Sequence, residues 1–228
     1  MVEIRYLSEN AVVIFKHHGT PAQPDPTGDT DAMTETAHLL RERGESDSLW
    51  LINRLDRGVG GLMIFARNRK SAATLSELVR DRQITKEYYA VVEGKLDSGV
   101  MQDLLYKDTR TSKAYVVKNE RNGVKKASLS YDTLDVVATE RGDLTLVKIT
   151  LDTGRFHQIR AQFSSRRHPI VGDKKYGSRL VLRGGIALMS CHLSAEISDE
   201  SIDVFACPDT NLYPWSLFDS TWAAGGII

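Results

Sequence analysis

Asn53-Arg54-Leu55-Asp56-Arg57-Gly58-Val59-Gly60-Gly61 runs directly into Leu62-Met63-Ile64-Phe65-Ala66, and the fold is read outward from this stretch. An unbroken apolar run entered through a glycine pair predicts a central strand buried on both faces. Asp56 therefore sits in a loop feeding a buried strand, where glycine lets the backbone bend sharply and lets another group approach closely. Asn68 to Arg82 follows with Ala72, Leu75, Leu78 and Val79 at helical spacing, and Tyr88 to Val92 returns as a strand. The product is a strand, helix, strand unit. Upstream, Ala11 to Phe15 is a short β-branched run expected as a buried strand, and Gly19 to Gly28, with three prolines, is expected as a loop. Thr30 or Asp31 then caps a helix running to Arg43, with Met33, Ala37 and Leu40 on one face and Gly44 as its stop.

Downstream the pattern changes. Ala127 to Val136 and Leu144 to Leu151 are strand-like and flank the turn-prone stretch Thr139 to Asp143, which predicts an antiparallel pair. His157 to Arg167 suits a short helix with Ile159 and Phe163 on one side, ending before Pro169 because proline disfavours helix in its predecessor. Short strands are expected at Ile186 to Leu193 and Ile202 to Ala206. Without repeats or linkers, this mixture indicates an α+β fold: a mixed, mainly antiparallel β-sheet core with flanking helices and loops. With 228 residues and 41% hydrophobic content, a single catalytic domain over 1–228 is expected.

Thirty basic residues balance thirty acidic ones, so affinity for a polyanion has to come from local clustering. Net charge by itself argues mildly against a nucleic-acid partner. Cys191 and Cys207 lack the paired short spacing of a zinc or redox motif and are expected as two buried thiols. No apolar run approaches the roughly 20 residues of a membrane helix, and Met1 to Phe15 lacks a signal-peptide pattern, so a cytoplasmic protein is expected.

Two clusters carry candidate chemistry. Arg54, Asp56 and Arg57 share the glycine-rich turn; for an isolated Asp on such a loop, a turn cap with solvated arginines is the default. The glycines match neither GxxxxGK[ST] nor GxGxxG, which excludes a nucleotide-triphosphate loop. The second cluster is Thr153-Gly154-Arg155-Phe156-His157-Gln158-Ile159-Arg160, where Arg155, His157 and Arg160 surround an expected helix start suited to phosphate. A solvated helix end with Arg160 paired to a nearby carboxylate is the competing reading. From Lys107 to Arg183 bases outnumber acids by about two to one, which supports a local positive face.

Arg54-Leu55-Asp56, Gly61-Leu62, Lys86-Glu87-Tyr88, Gly154-Arg155-Phe156-His157-Gln158-Ile159-Arg160 and His168-Pro169-Ile170-Val171-Gly172-Asp173, in this order, resemble the RluA class of RNA pseudouridine synthases. The resemblance runs from about Ala11 to beyond Leu193 and covers a catalytic domain. A separate N-terminal RNA-binding module is not expected. It implies the pseudouridine synthase fold, an RNA substrate (ribosomal RNA favoured, transfer RNA the runner-up), and no cofactor, metal or membrane partner.

In that family a uridine loses its N1 to C1′ bond, the uracil rotates, and C5 joins C1′. The resemblance places Asp56 as the nucleophile and Arg160 as the cation that keeps it ionised. It makes Tyr88, rather than Tyr89 on the opposite strand face, the residue that stacks on the target base. Arg54 matches the residue that displaces the flipped base, with phosphate binding as its alternative. Arg57, Arg155, His157 and Gln158 are the expected substrate-binding residues. The chain departs from the family at Asn53, where histidine is usual, at Val59-Gly60, where threonine-serine is usual, and at His17-His18, where lysine-proline is typical. A loose Asp56 loop is the expected consequence. Two other functions compete: an RNA-binding relative without turnover, and a glycoside hydrolase using Asp56 and Asp173 as paired carboxylates.

Overall fold

A computed structural model describes residues 2–197 and 199–224. In chain order the elements are β1 (Val2–Leu7), β2 (Ala11–Lys16), α1 (Ala32–Glu42), β3 (Trp50–Leu51), β4 (Gly60–Ala66), α2 (Arg69–Arg80), β5 (Thr85–Glu93), β6 (Gly99–Asp108), β7 (Lys113–Val117), β8 (Val124–Thr139), β9 (Gly142–Leu151), α3 (Gln158–Ser165), β10 (Leu188–Ile197), β11 (Glu200–Phe205) and α4 (Asp219–Ala224). The chain divides into two compact units. The first comprises Met1–Lys86 with Met189–Ala206, and the second Glu87–Leu188 with Cys207–Ile228.

In the first unit β4 is buried at every residue, as its apolar run predicts. It pairs antiparallel with β2 along its length and with β3 at Phe65 and Ala66, and parallel with β10 at Gly60 and Gly61. Gly61 is needed there: its φ is 112°, and a Cβ would lie 2.2 Å from the Ser190 carbonyl oxygen of β10. The close approach that glycine permits is thus to neighbouring backbone. Helix α2 starts at Asn68, whose side chain accepts from the Ser71 N–H at 2.8 Å. The Ser71 hydroxyl reaches back to the Asn68 N–H, closing a capping box. Leu75 is fully buried, with Ala72, Leu78 and Val79 packed on the same apolar cluster as Leu62 and Ile64.

Helix α1 is capped by Asp31, which accepts from the Thr34 N–H and hydroxyl at 3.0 and 2.7 Å. Its buried face is Ala32, Thr36 and Leu40, one position round from the Met33, Ala37, Leu40 face expected. Thr36 can be buried because its hydroxyl donates to the Ala32 carbonyl at 2.6 Å, which satisfies the polar group inside the helix.

The second unit is an antiparallel array in which β9 pairs with β5 and β8, and β6 pairs with β8 and β7. Strands β8 and β9 are the expected pair. Strands β1, β3, β6 and β7 had no expectation attached. In β6 only Met101 and Leu105 are buried, and Gln102, Asp103, Lys107 and Asp108 break up the apolar residues, so no continuous apolar run marks the strand. Cys191 is buried, whereas Cys207 is only half-buried, against the expectation of two buried thiols. No helix among the described residues is long and apolar enough to cross a membrane.

Candidate active site

Asp56 lies on the turn between β3 and β4, with Leu55 buried beneath it, Asp56 half-buried and Arg54 exposed. The Val59 N–H closes the turn on the Asp56 carbonyl at 2.9 Å. Around it the loop is fastened rather than loose. The Asn53 side chain accepts from the Ile64 N–H at 2.9 Å, so this departure ties the loop to β4. His18 Nδ1 contacts the Gly58 carbonyl at 3.0 Å; a carbonyl only accepts, so that nitrogen carries the proton. The Arg57 carbonyl accepts from the Gly19 N–H at 2.8 Å.

Lys16, the last residue of β2, only closes an apolar run in the sequence and carries no local signal of a functional role. It is fully buried. Its ammonium donates to the carbonyls of Thr20, His17 and Arg57 at 2.9, 3.2 and 3.5 Å, which matches its three donors. Burial pushes its pKa down to about 8, opposed by the field of the Asp56 carboxylate. A positive charge is therefore built beneath the Asp56 turn within the same unit. Arg57, expected on substrate, is engaged by the loop of residues 19–29: Nε donates to the Gly19 carbonyl at 2.9 Å and the guanidinium pairs with Asp29. Its side chain is nonetheless 47% exposed. Arg54 makes no hydrogen bond or ion pair to any described residue, which leaves its guanidinium in solvent.

In the second unit the start of α3 collects the other cluster. His157 occupies the N-cap position with left-handed backbone, φ 51°, and makes no side-chain cap. Gln158 is buried and serves the loop before the helix. Its Oε1 accepts from the Thr153 hydroxyl at 2.7 Å and the Arg155 N–H at 3.0 Å, and its Nε2 donates to the Ser128 carbonyl at 3.0 Å. Gln158 thus shapes the loop that presents Arg155. Arg155 is exposed and its Nε donates to the Lys126 carbonyl of β8 at 3.0 Å. Phe156 stacks on His157 with centroids 3.8 Å apart, and the Lys107 ammonium lies 4.4 Å over the Phe156 ring.

Arg160, one turn into α3, forks onto Asp173: Nε donates to Oδ2 at 2.7 Å and Nη2 to Oδ1 at 3.0 Å. This is the carboxylate pairing weighed as the competing reading for Arg160, and it uses two of the five guanidinium donors. It also explains the block from His168 to Asp173. His168 Nδ1 donates to the Glu93 carbonyl at 2.9 Å and the Val171 N–H to the Val91 carbonyl at 2.9 Å, which fixes the turn that delivers Asp173. With 1% of its side chain exposed and both oxygens held by Arg160, Asp173 is unsuited to proton transfer with a sugar substrate. The paired-carboxylate hydrolase loses its second carboxylate. Tyr88 and Tyr89 are both buried on β5; Tyr89 packs edge-on against Trp222 at 5.1 Å, on the face opposite Tyr88.

Residues 10–165 match the RNA pseudouridylate synthase family, a span that contains Asp56, Tyr88 and Arg160. The chain belongs to that family. It is 28% identical over 206 residues to an uncharacterised RNA pseudouridine synthase of Bacillus subtilis, covering 88% of this chain and 67% of the relative. It is 33% identical over 178 residues to ribosomal large subunit pseudouridine synthase C of Escherichia coli, covering 77% of this chain and 53% of the relative. The chain thus spans between about half and two thirds of these relatives' lengths. Among solved structures, human RNA pseudouridylate synthase domain containing 1 superposes with a TM-score of 0.79 at 19% identity, over 98% of this chain and 95% of that one, a likeness of fold.

Proposed function

We propose that the chain isomerises uridines in RNA to pseudouridine with Asp56 as nucleophile. The family match across residues 10–165 carries this reading, because it takes in the turn, β5 and the head of α3 together. Asp56 attacks the target nucleoside to form a covalent adduct, the N1 to C1′ bond breaks, the uracil turns, C5 bonds to C1′, the bond to Asp56 breaks to release its carboxylate, and the proton leaving C5 is balanced by one gained at N1. Tyr88 is the aromatic surface for the base and Arg160 the cation that supports an ionised carboxylate. Arg54, exposed beside Asp56, suits displacement of the base from its stack. Arg155, together with the exposed part of Arg57, suits the phosphate backbone, with His157 beside Arg155.

Ribosomal RNA is the favoured substrate, supported by relatives named as ribosomal large subunit synthases, and transfer RNA is the alternative. The test is tritium release from 5-tritiated uridine in ribosomal and transfer RNA transcripts. Release from ribosomal transcripts that disappears in Asp56→Asn, with RNA binding retained, is the expected result. Salt-sensitive RNA binding without release from any transcript would instead identify a relative without turnover.

A further inference from the structure

Tyr176 is 4% exposed and has no role in the chemistry above, yet it touches His157, Arg160 and Lys113 of the second unit. Its ring lies 4.9 Å from the Arg160 guanidinium carbon and 4.9 Å from the Lys113 ammonium. Its hydroxyl accepts from the Ala114 N–H of β7 at 2.7 Å and meets His157 Nδ1 at 2.9 Å. Its carbonyl accepts from the Ser164 hydroxyl of α3 at 2.6 Å. The hydroxyl oxygen, with two lone pairs and one proton, can serve both partners at once. The residue is therefore bolted to α3 at one end and to β7 at the other, with the Arg160 guanidinium against its ring.

The hairpin of β6 and β7 that Tyr176 grips carries cations parked on aromatic faces, Lys107 on Phe156 and Lys113 on Tyr176 itself. Lys107 pairs with Ala114 and Lys113 with Asp108, so the two lysines stand on adjacent rungs of the hairpin. A partly exposed cation–π contact is weaker than a hydrogen bond between two charged groups. Phosphates of a bound RNA therefore draw these ammonium groups off the rings. The Ala114 to Tyr176 hydrogen bond ties the hairpin that carries them to the ring beside Arg160.

We propose that Tyr176 is a positioning residue that couples phosphate capture on the β6–β7 hairpin to the orientation of Arg160. The proposal rests on the role given to Arg160 above. Its substance is a link between two steps: RNA docking on the hairpin sets the orientation of the Arg160 guanidinium.

The test uses Tyr176→Phe, which keeps the ring and cuts the tie to Ala114. In single-turnover pseudouridine formation, Tyr176→Phe is expected to slow the reaction by about tenfold or more while RNA affinity stays within about twofold. Lys113→Gln should weaken both affinity and rate in the parent protein, but only affinity in the Tyr176→Phe background. Additive effects on rate would overturn the coupling. A second measurement needs no turnover: exchange of the Arg160 Nε proton with water, by NMR on the full chain carrying Asp56→Asn, with and without a uridine-rich RNA oligonucleotide. RNA should change that exchange severalfold when Tyr176 is present and leave it nearly unchanged in Tyr176→Phe. Equal changes in both backgrounds, or no RNA binding at all, would overturn the proposal. If the parent protein binds RNA but isomerises nothing, the enzymatic reading fails, and the proton exchange still decides whether hairpin and guanidinium are linked.

Discussion

Arg160 and Asp173 form a two-point ion pair, Nε to Oδ2 at 2.7 Å and Nη2 to Oδ1 at 3.0 Å, between side chains only 11% and 1% exposed. Helix α3 supplies the cation and the turn after it supplies the anion. The pair anchors one edge of the proposed catalytic guanidinium to the turn after α3. Removing the anion leaves a mostly buried guanidinium without its counter-charge. Asp173→Ala is therefore expected to lower stability by about 3–5 kcal/mol, measured by urea unfolding. A loss under about 1 kcal/mol would mean that the pair is not buried as described.

Lys16 makes the activity sensitive to alkaline pH. Its ammonium is held with a pKa near 8, so the charge beneath the Asp56 turn is present below that pH and lost above it. Turnover should fall as pH rises through about 8. Lys16→Met, which keeps the length and removes the charge, should be slower at neutral pH and lack this alkaline limb. An unchanged limb in the variant would assign the titration to another group.

The same lysine has an opposite signature in stability. Its pKa is lowered from 10.5 to about 8, so between those values the unfolded chain holds more protons than the folded one. The Lys16 contribution therefore becomes more favourable as pH rises from about 8 to 10.5. Denaturation midpoints of the parent minus those of Lys16→Met should increase over that interval. A flat or falling difference would contradict a desolvated ammonium.

Gly61 and Gly142 separate crowding from backbone strain. Both have φ beyond 100°, but a Cβ on Gly61 meets the Ser190 backbone at 2.2 Å whereas one on Gly142 meets nothing within 4 Å. Gly142→Ala should cost about 1–2 kcal/mol, the left-handed penalty alone, and Gly61→Ala more than about 3 kcal/mol. Paired thermal melts read the difference directly. Comparable losses would show that β4 and β10 can part without penalty.

Gln158→Ala removes three hydrogen bonds from the Thr153 to Arg155 loop. A loss of about 2 kcal/mol is expected. RNA affinity should weaken as well, through displacement of Arg155. If binding falls while stability is untouched, Gln158 contacts RNA directly after all.

Elements whose cause is local were legible in advance. The buried run of β4, the Asp31 cap and the Ala72, Leu75, Leu78, Val79 face of α2 each follow from residues within a few positions of one another, and each formed as expected. The antiparallel β8–β9 pair is likewise announced by two strand-like runs and one turn. Strands β6 and β7 left no such trace, because a hairpin wet on one face needs few apolar residues, and it was found only through its partners.

The sequence alone determined the family, the α+β class and the candidates Asp56, Tyr88 and Arg160, since these rest on order and spacing along the chain. Tertiary structure alone decided what each charge meets. It set Asp173 against Arg160, buried Lys16 under the Asp56 turn, turned Gln158 inward to the loop, and revealed that the Gly61 approach serves Ser190. The physical reason is range. Hydrophobic period and capping act over a few residues, whereas ion pairs, desolvation and steric fit depend on distances that exist only once remote segments have packed.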